Sequence, residues 1–208
     1  MGNAYYPLFF RVFILKYTLG DKMNNNKVLP IVQGAMIASL YGVFSLLNTY
    51  TGSTFDIILS YIMVMPMLWY ASEYSVKYTL SLYITSAVVV FIMGQLMFWS
   101  FSIPTLLLGV FYGIYQKHKG KHMFIGLVIT SAIKNSISFF IFGGMTGISV
   151  WQEGKEMYQM IIEFLPFLEN IINVEISFII MWILIFICEA YCIMMYGNLF
   201  LKRIIKKK

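Results

Sequence analysis

A lysine stands in the middle of an apolar run. Met123 to Gly144 is long enough to cross a bilayer, which takes about 20 residues. Thr130-Ser131-Ala132-Ile133-Lys134-Asn135-Ser136 lies at its centre. A lysine at that depth costs roughly 2.5–3.5 kcal/mol on insertion scales. Such a residue faces a bundle interior, finds a partner or serves a function. Any fold available to the chain must therefore make position 134 tolerable.

Several further apolar runs approach or exceed a membrane-spanning length. The 208 residues are 60% hydrophobic and 12% charged, where a soluble domain carries about 25% charged residues. The chain reads as an all-α, polytopic membrane bundle. The spacing predicts six spans: about Val28–Tyr50, Phe55–Ala71, Tyr78–Phe98, Ile103–Gln116, Met123–Gly144 and Ile176–Leu201. The fourth is short for a bilayer and suggests a half-depth helix, with an interfacial turn from Trp99 to Pro104 before it. Residues 1–27 read as a cytoplasmic amphipathic segment and linker, 28–201 as the transmembrane domain and 202–208 as a basic cytoplasmic tail. The first apolar patch, Tyr5 to Leu15, is broken by Arg11 and lacks a small-residue cleavage site, so it is expected to lie on the membrane. Between spans 5 and 6, Met157, Met160, Ile161, Phe164 and Leu168 recur at three and four, predicting an extracellular amphipathic helix interrupted near Pro166.

Basic residues set the expected orientation. Arg11, Lys16, Lys22 and Lys27 precede span 1, and Lys77 follows span 2. Lys117, Lys119 and Lys121 follow span 4, and Lys202, Arg203, Lys206, Lys207 and Lys208 follow span 6. With six spans all of these fall on one side, and Lys155 stands alone among acids on the other. The positive-inside rule then places both termini in the cytoplasm of a multi-pass cell-membrane protein. The net charge of +6 is explained by topology rather than by a nucleic-acid surface.

Polar residues inside the spans are the candidates for chemistry. Lys134 and Glu189 sit near the middles of two consecutive, hence antiparallel, spans, so they can pair at one depth. The pair serves either as a buried structural tie or as a ligand or ion-coupling site. Ser131, Lys134 and Ser138 share a helical face flanked by Asn135. Gln95, Trp99 and Asp56 belong to the outer half and are candidates to line an outward-facing pocket for a small solute. On span 1, Gly34, Ala38 and Gly42 recur every four residues, with Ala35 and Ser39 beside them. That face suits either packing inside the bundle or docking of another subunit. Cys188 and Cys192 share a helical face at a spacing that excludes a disulfide, and read as small apolar fillers. Enzyme motifs are absent: there is no His-Glu-x-x-His, Gly-x-Ser-x-Gly or Gly-x-x-x-x-Gly-Lys-Ser/Thr, and no metal or cofactor is implied.

Across about residues 30–201 this arrangement resembles the substrate-binding S-components of energy-coupling factor (ECF) transporters. The residues that carry the likeness are Ala35-x-x-x-Ser39 and Gly34-x-x-x-Ala38 on span 1. Residues from about Pro66 to Glu156 also look like an uncharacterised YybS-like family of bacterial membrane proteins, through Gly109-x-x-x-Gly113, the basic loop and Phe142-Gly143-Gly144. The resemblance implies a non-enzymatic subunit for uptake of a vitamin or small solute. It implies that span 1 meets an ECF coupling subunit, with ATPases supplying the energy. The alternative is a non-transporting membrane protein that organises partners through span 1 and the 145–173 segment.

Overall fold

The helices follow from where the chain is apolar and where glycine or a polar cluster interrupts it. A computed structural model describes residues 28–117, 122–147, 150–164 and 174–205. Residues 1–27, the 118–121 loop, Pro166 and the last three lysines lie outside the described residues, and with them the sequence readings that fall there. Within these limits the chain forms seven helices and no strand: α1 Val28–Tyr50, α2 Asp56–Glu73, α3 Val76–Met93, α4 Leu96–Lys117, α5 Met123–Thr146, α6 Val150–Phe164 and α7 Val174–Ile205.

Five of them are long and apolar enough to cross a membrane: α1, α3, α4, α5 and the Ile176–Lys202 part of α7. The sixth expected span corresponds to α2, which is bounded by Asp56 and Glu73, contains Pro66 and is not among the five. It is instead deeply enclosed, with Met63, Val64, Met67 and Leu68 all inaccessible. Side-chain contacts set the helix directions. Tyr41 meets Met63 while Pro30 meets Tyr70, so α1 and α2 are antiparallel. Ala87 meets Trp99 while Tyr83 meets Ile103, so α3 and α4 are antiparallel. Residue 64 lies by 109 and 68 by 113, so α2 and α4 are parallel neighbours. Gly126 lies by Phe111 and Phe142 by Phe101, which turns α5 against α4. Lys134 meets Glu189 and Phe139 meets Trp182, which turns α7 against α5. The six long helices therefore alternate in direction, with α2 running alongside the rest.

Three expectations about the middle of the chain are corrected. Span 4 is not short: α4 is one helix of 22 residues. Trp99 to Pro104 is helical rather than an interfacial turn, and the reversal comes at Gly94–Gln95, ending α3 at Met93 rather than at Phe98. Pro104 has no N–H to give the Ser100 carbonyl one turn back. The Ser138 hydroxyl of α5 donates to that carbonyl at 3.4 Å, so the helix continues through the proline.

The backbones of α2 and α4 approach one another closely. A Cβ added to Gly109 would stand 2.8 Å from the Val64 carbonyl oxygen. One on Gly113 would overlap the Leu68 carbonyl oxygen and stand 2.5 Å from the Ala71 Cβ. Membrane helices gain little from apolar burial against one another, so backbone proximity through small residues is a main source of their attraction. Tyrosine hydroxyls tie the helices further by donating to backbone carbonyls: Tyr41 to Met63 at 2.6 Å, Tyr70 to Pro30 at 2.9 Å and Tyr83 to Ile103 at 3.2 Å. The amphipathic α6 packs on α7, where Gly154 sits against the Phe178 ring and Trp151 meets that ring edge-on at 5.1 Å.

The glycine contact makes a direct prediction. Gly113→Ala should lower the melting temperature of the detergent-solubilised protein, since overpacking typically costs about 1–3 kcal/mol. Gly144→Ala, where an added Cβ meets nothing within 4 Å, should leave it unchanged or slightly raised.

Candidate functional site

Three helices contribute polar side chains to one point. From α5 come Ser131, Lys134 and Asn135, at successive positions of one face. Glu189 comes from the middle of α7 and Tyr61 from α2. Lys134 and Glu189 are both buried, at 7% and 8% exposure, where an unpaired charge would not survive. Their Nζ and Oε1 atoms lie 2.6 Å apart in an ion pair.

The other contacts complete the set. The Tyr61 hydroxyl also donates to Glu189 Oε1. Ser131 Oγ donates to Oε2, and Asn135 Nδ2 donates to the same oxygen at 2.9 Å. Glu189 thus accepts four hydrogen bonds, two on each oxygen, close to the capacity of a carboxylate. Lys134 donates to Glu189, to Asn135 Oδ1 at 3.2 Å and to the Tyr61 hydroxyl at 3.5 Å, which uses its three protons. Its Nζ also lies 5.5 Å from the Tyr61 ring centroid, within cation–π range. The cluster is net neutral and internally satisfied. Its edges, Tyr61 and Asn135, are half-buried.

The structure brings Ser131, Lys134, Asn135 and Glu189 together and leaves the other sequence candidates elsewhere. Ser138, one turn along α5 from Lys134, is committed to the Ser100 carbonyl. Trp99 donates its Nε1 to the Ala87 carbonyl at 3.0 Å and so ties α4 to α3. Gln95 accepts from Ser53 in the α1–α2 turn, and Asp56 accepts from Asn48. Asp56, Gln95 and Trp99 make these contacts away from the Lys134–Glu189 pair. The physical reason lies in the helix ends: Asp56 opens α2 and Gln95 sits in the α3–α4 turn, at an end of the bundle, whereas Lys134 and Glu189 are at helix centres. Asn48 is fully buried beside Asp56, with its Oδ1 atom unpartnered.

Tyr61 is the site residue that the sequence reading missed. It lies in an apolar run with nothing but its hydroxyl to mark it, and fifteen tyrosines are present. Beside it, Ser60 adds a second hydroxyl to the first third of α2, a weak signal at most.

Span 1 divides in two. Gly34, Ala38 and Gly42 are buried inside the bundle. An added Cβ at Gly34 would stand 3.1 Å from the Tyr70 hydroxyl, and one at Gly42 would stand 3.0 Å from the Val89 side chain. These three residues are used for packing, which leaves Ala35 and Ser39 as the exposed small residues of that set. Cys188 and Cys192 are exposed on α7 rather than buried in the core, on the flank of the helix beside Glu189.

Comparison with known protein families, with curated proteins and with solved structures produces no match.

The ion pair predicts a characteristic mutational pattern. Lys134→Met and Glu189→Gln should each destabilise the protein by about 3–5 kcal/mol, because each leaves a buried charge without its partner. The double variant should recover a substantial part of that loss. Thermal unfolding of the four proteins in one detergent gives the coupling, and strictly additive losses would rule the pairing out.

Proposed function

We propose that the chain is the membrane-embedded, solute-binding subunit of an uptake system, with the Tyr61–Ser131–Lys134–Asn135–Glu189 cluster as its binding site. The observation that carries this reading is the convergence of two opposite charges, each at the middle of its helix, with three neutral polar side chains, the five residues being drawn from three helices. Ionisable groups at such depth line substrate and ion pathways more often than they serve packing alone. The solute would enter by exchanging with the internal pair, since its donors and acceptors are already engaged with one another. With no nucleotide motif in the sequence, energy would come from a partner, in the manner of an ECF coupling subunit with its ATPases.

In this reading α2 is the sixth span. Its burial and its direction, alternating with its neighbours, support that. So does the placement of the basic residues. Tyr74 donates to Gln33 and accepts from Lys117 Nζ at 3.1 Å, which puts the start of α1, the end of α2 and the end of α4 at one end of the bundle. The positive-inside rule makes that end cytoplasmic. In a background lacking Cys188 and Cys192, Thr51→Cys and Met160→Cys should react with an impermeant thiol reagent on intact cells, and Lys119→Cys should not. Labelling of Lys119→Cys alone would reverse the orientation.

A second reading is a non-transporting protein that organises partners. The completeness of the Lys134–Glu189 hydrogen bonding favours it, because a purely structural tie needs no vacancy. Native mass spectrometry of the gently extracted protein separates the two. The transport reading expects a retained small molecule that disappears in the Lys134→Met/Glu189→Gln double variant, together with a coupling subunit or ATPase. Retention of protein partners with no small molecule in any preparation supports the second reading instead.

A further inference from the structure

Resting on the solute-binding reading, we infer that the site takes a zwitterion whose cationic and anionic centres lie a few bonds apart, of the α-amino-acid type. The inference comes from charge balance in a place that water does not screen. Lys134 and Glu189 neutralise one another at 2.6 Å, and among the described residues no other charged side chain contacts either of them. A ligand carrying a single negative charge would draw Lys134 away and leave Glu189 without its cation. A single positive charge would do the reverse. Either case recreates the unpaired buried charge that the fold avoids. A zwitterion exchanges partners without changing the net charge. Its carboxylate takes Lys134 and the donors of Ser131 and Asn135, and its ammonium takes Glu189. Both new ion pairs stay near the old one only if the ligand's two charges are close together.

Two further observations fit this exchange. The Tyr61 ring already faces a cation at 5.5 Å, so it presents a surface suited to the ligand's ammonium as well. The contact that must loosen lies against α7, the least buried of the five spanning helices. Movement of α7 away from α5 therefore disturbs less buried surface than movement of another of these five helices would.

The test uses the full-length protein in detergent and in lipid nanodiscs at neutral pH. The probes are the free amino acids that are net-neutral at that pH and glycine betaine, against acetate, propionate and ethylamine. At least one zwitterion should raise the melting temperature in a concentration-dependent way, and the singly charged probes should not do so at ten-fold higher concentration. The shift should vanish in the Lys134→Met/Glu189→Gln variant. Tyr61→Phe and Tyr61→Leu both lose the hydroxyl but only the second loses the ring, so the leucine variant should bind that zwitterion roughly ten-fold more weakly than the phenylalanine variant. Stabilisation by acetate, propionate or ethylamine equal to that by the zwitterions overturns the inference, as does the absence of any zwitterion effect. If native mass spectrometry then finds a Lys134-dependent small molecule with a net charge, the binding-subunit reading stands and the zwitterion inference falls. If it finds none, both fall.

Discussion

The structure depends on a charge that is not left alone. In an apolar bundle, a lysine and a glutamate placed on helices that run in opposite directions can meet only if the helices pack in one register and one rotation. The Lys134–Glu189 contact therefore specifies how α7 sits on α5. The hydrogen bonds of Tyr61, Ser131 and Asn135 extend that constraint to α2 and leave neither oxygen of the carboxylate bare. Polar groups in hydrocarbon contribute modestly when paired and are expensive when unpaired, so specificity arises mainly from what the alternatives would leave unsatisfied.

Around this point the bundle uses two other means suited to a membrane. The α2–α4 pair is held by backbone proximity at Gly109 and Gly113, where side-chain-free positions let whole helices touch. Elsewhere buried tyrosines reach across to carbonyls, giving each aromatic ring an apolar body and a satisfied tip. Pro104 shows how the two combine. It removes one backbone donor, and a hydroxyl from the next helix approaches the carbonyl set free. That contact also consumes Ser138, a residue whose position beside Lys134 suggested a different use.

How far the site was legible depended on where its residues lie along their helices. The Lys134–Glu189 pair could be read because consecutive spans are antiparallel and their midpoints share a depth. Ser131 and Asn135 followed from helical periodicity on the same element. Tyr61 could not be reached that way, since nothing in a sequence states which third helix faces a given pair. A different gap concerned helix boundaries: the break at Gly94–Gln95 puts Gln95 in a turn and Trp99 early in α4, whereas apolarity alone ran span 3 on to Phe98.

The sequence by itself determined that this is a helical membrane chain, where most of its long apolar helices lie, and which loops carry the basic residues. These depend on composition and length, which are local. Only the tertiary structure decided that α4 is a full helix, that Gly34, Ala38 and Gly42 face inward, and that five polar side chains meet while Asp56, Gln95 and Trp99 stay apart. The reason is that a lipid-facing surface and a protein core are equally apolar. The hydrophobic pattern that tells a soluble helix which side to bury is therefore nearly silent here, and the facing of each helix is settled by glycines, hydroxyls and the one buried ion pair described, which act only when their partners are in place.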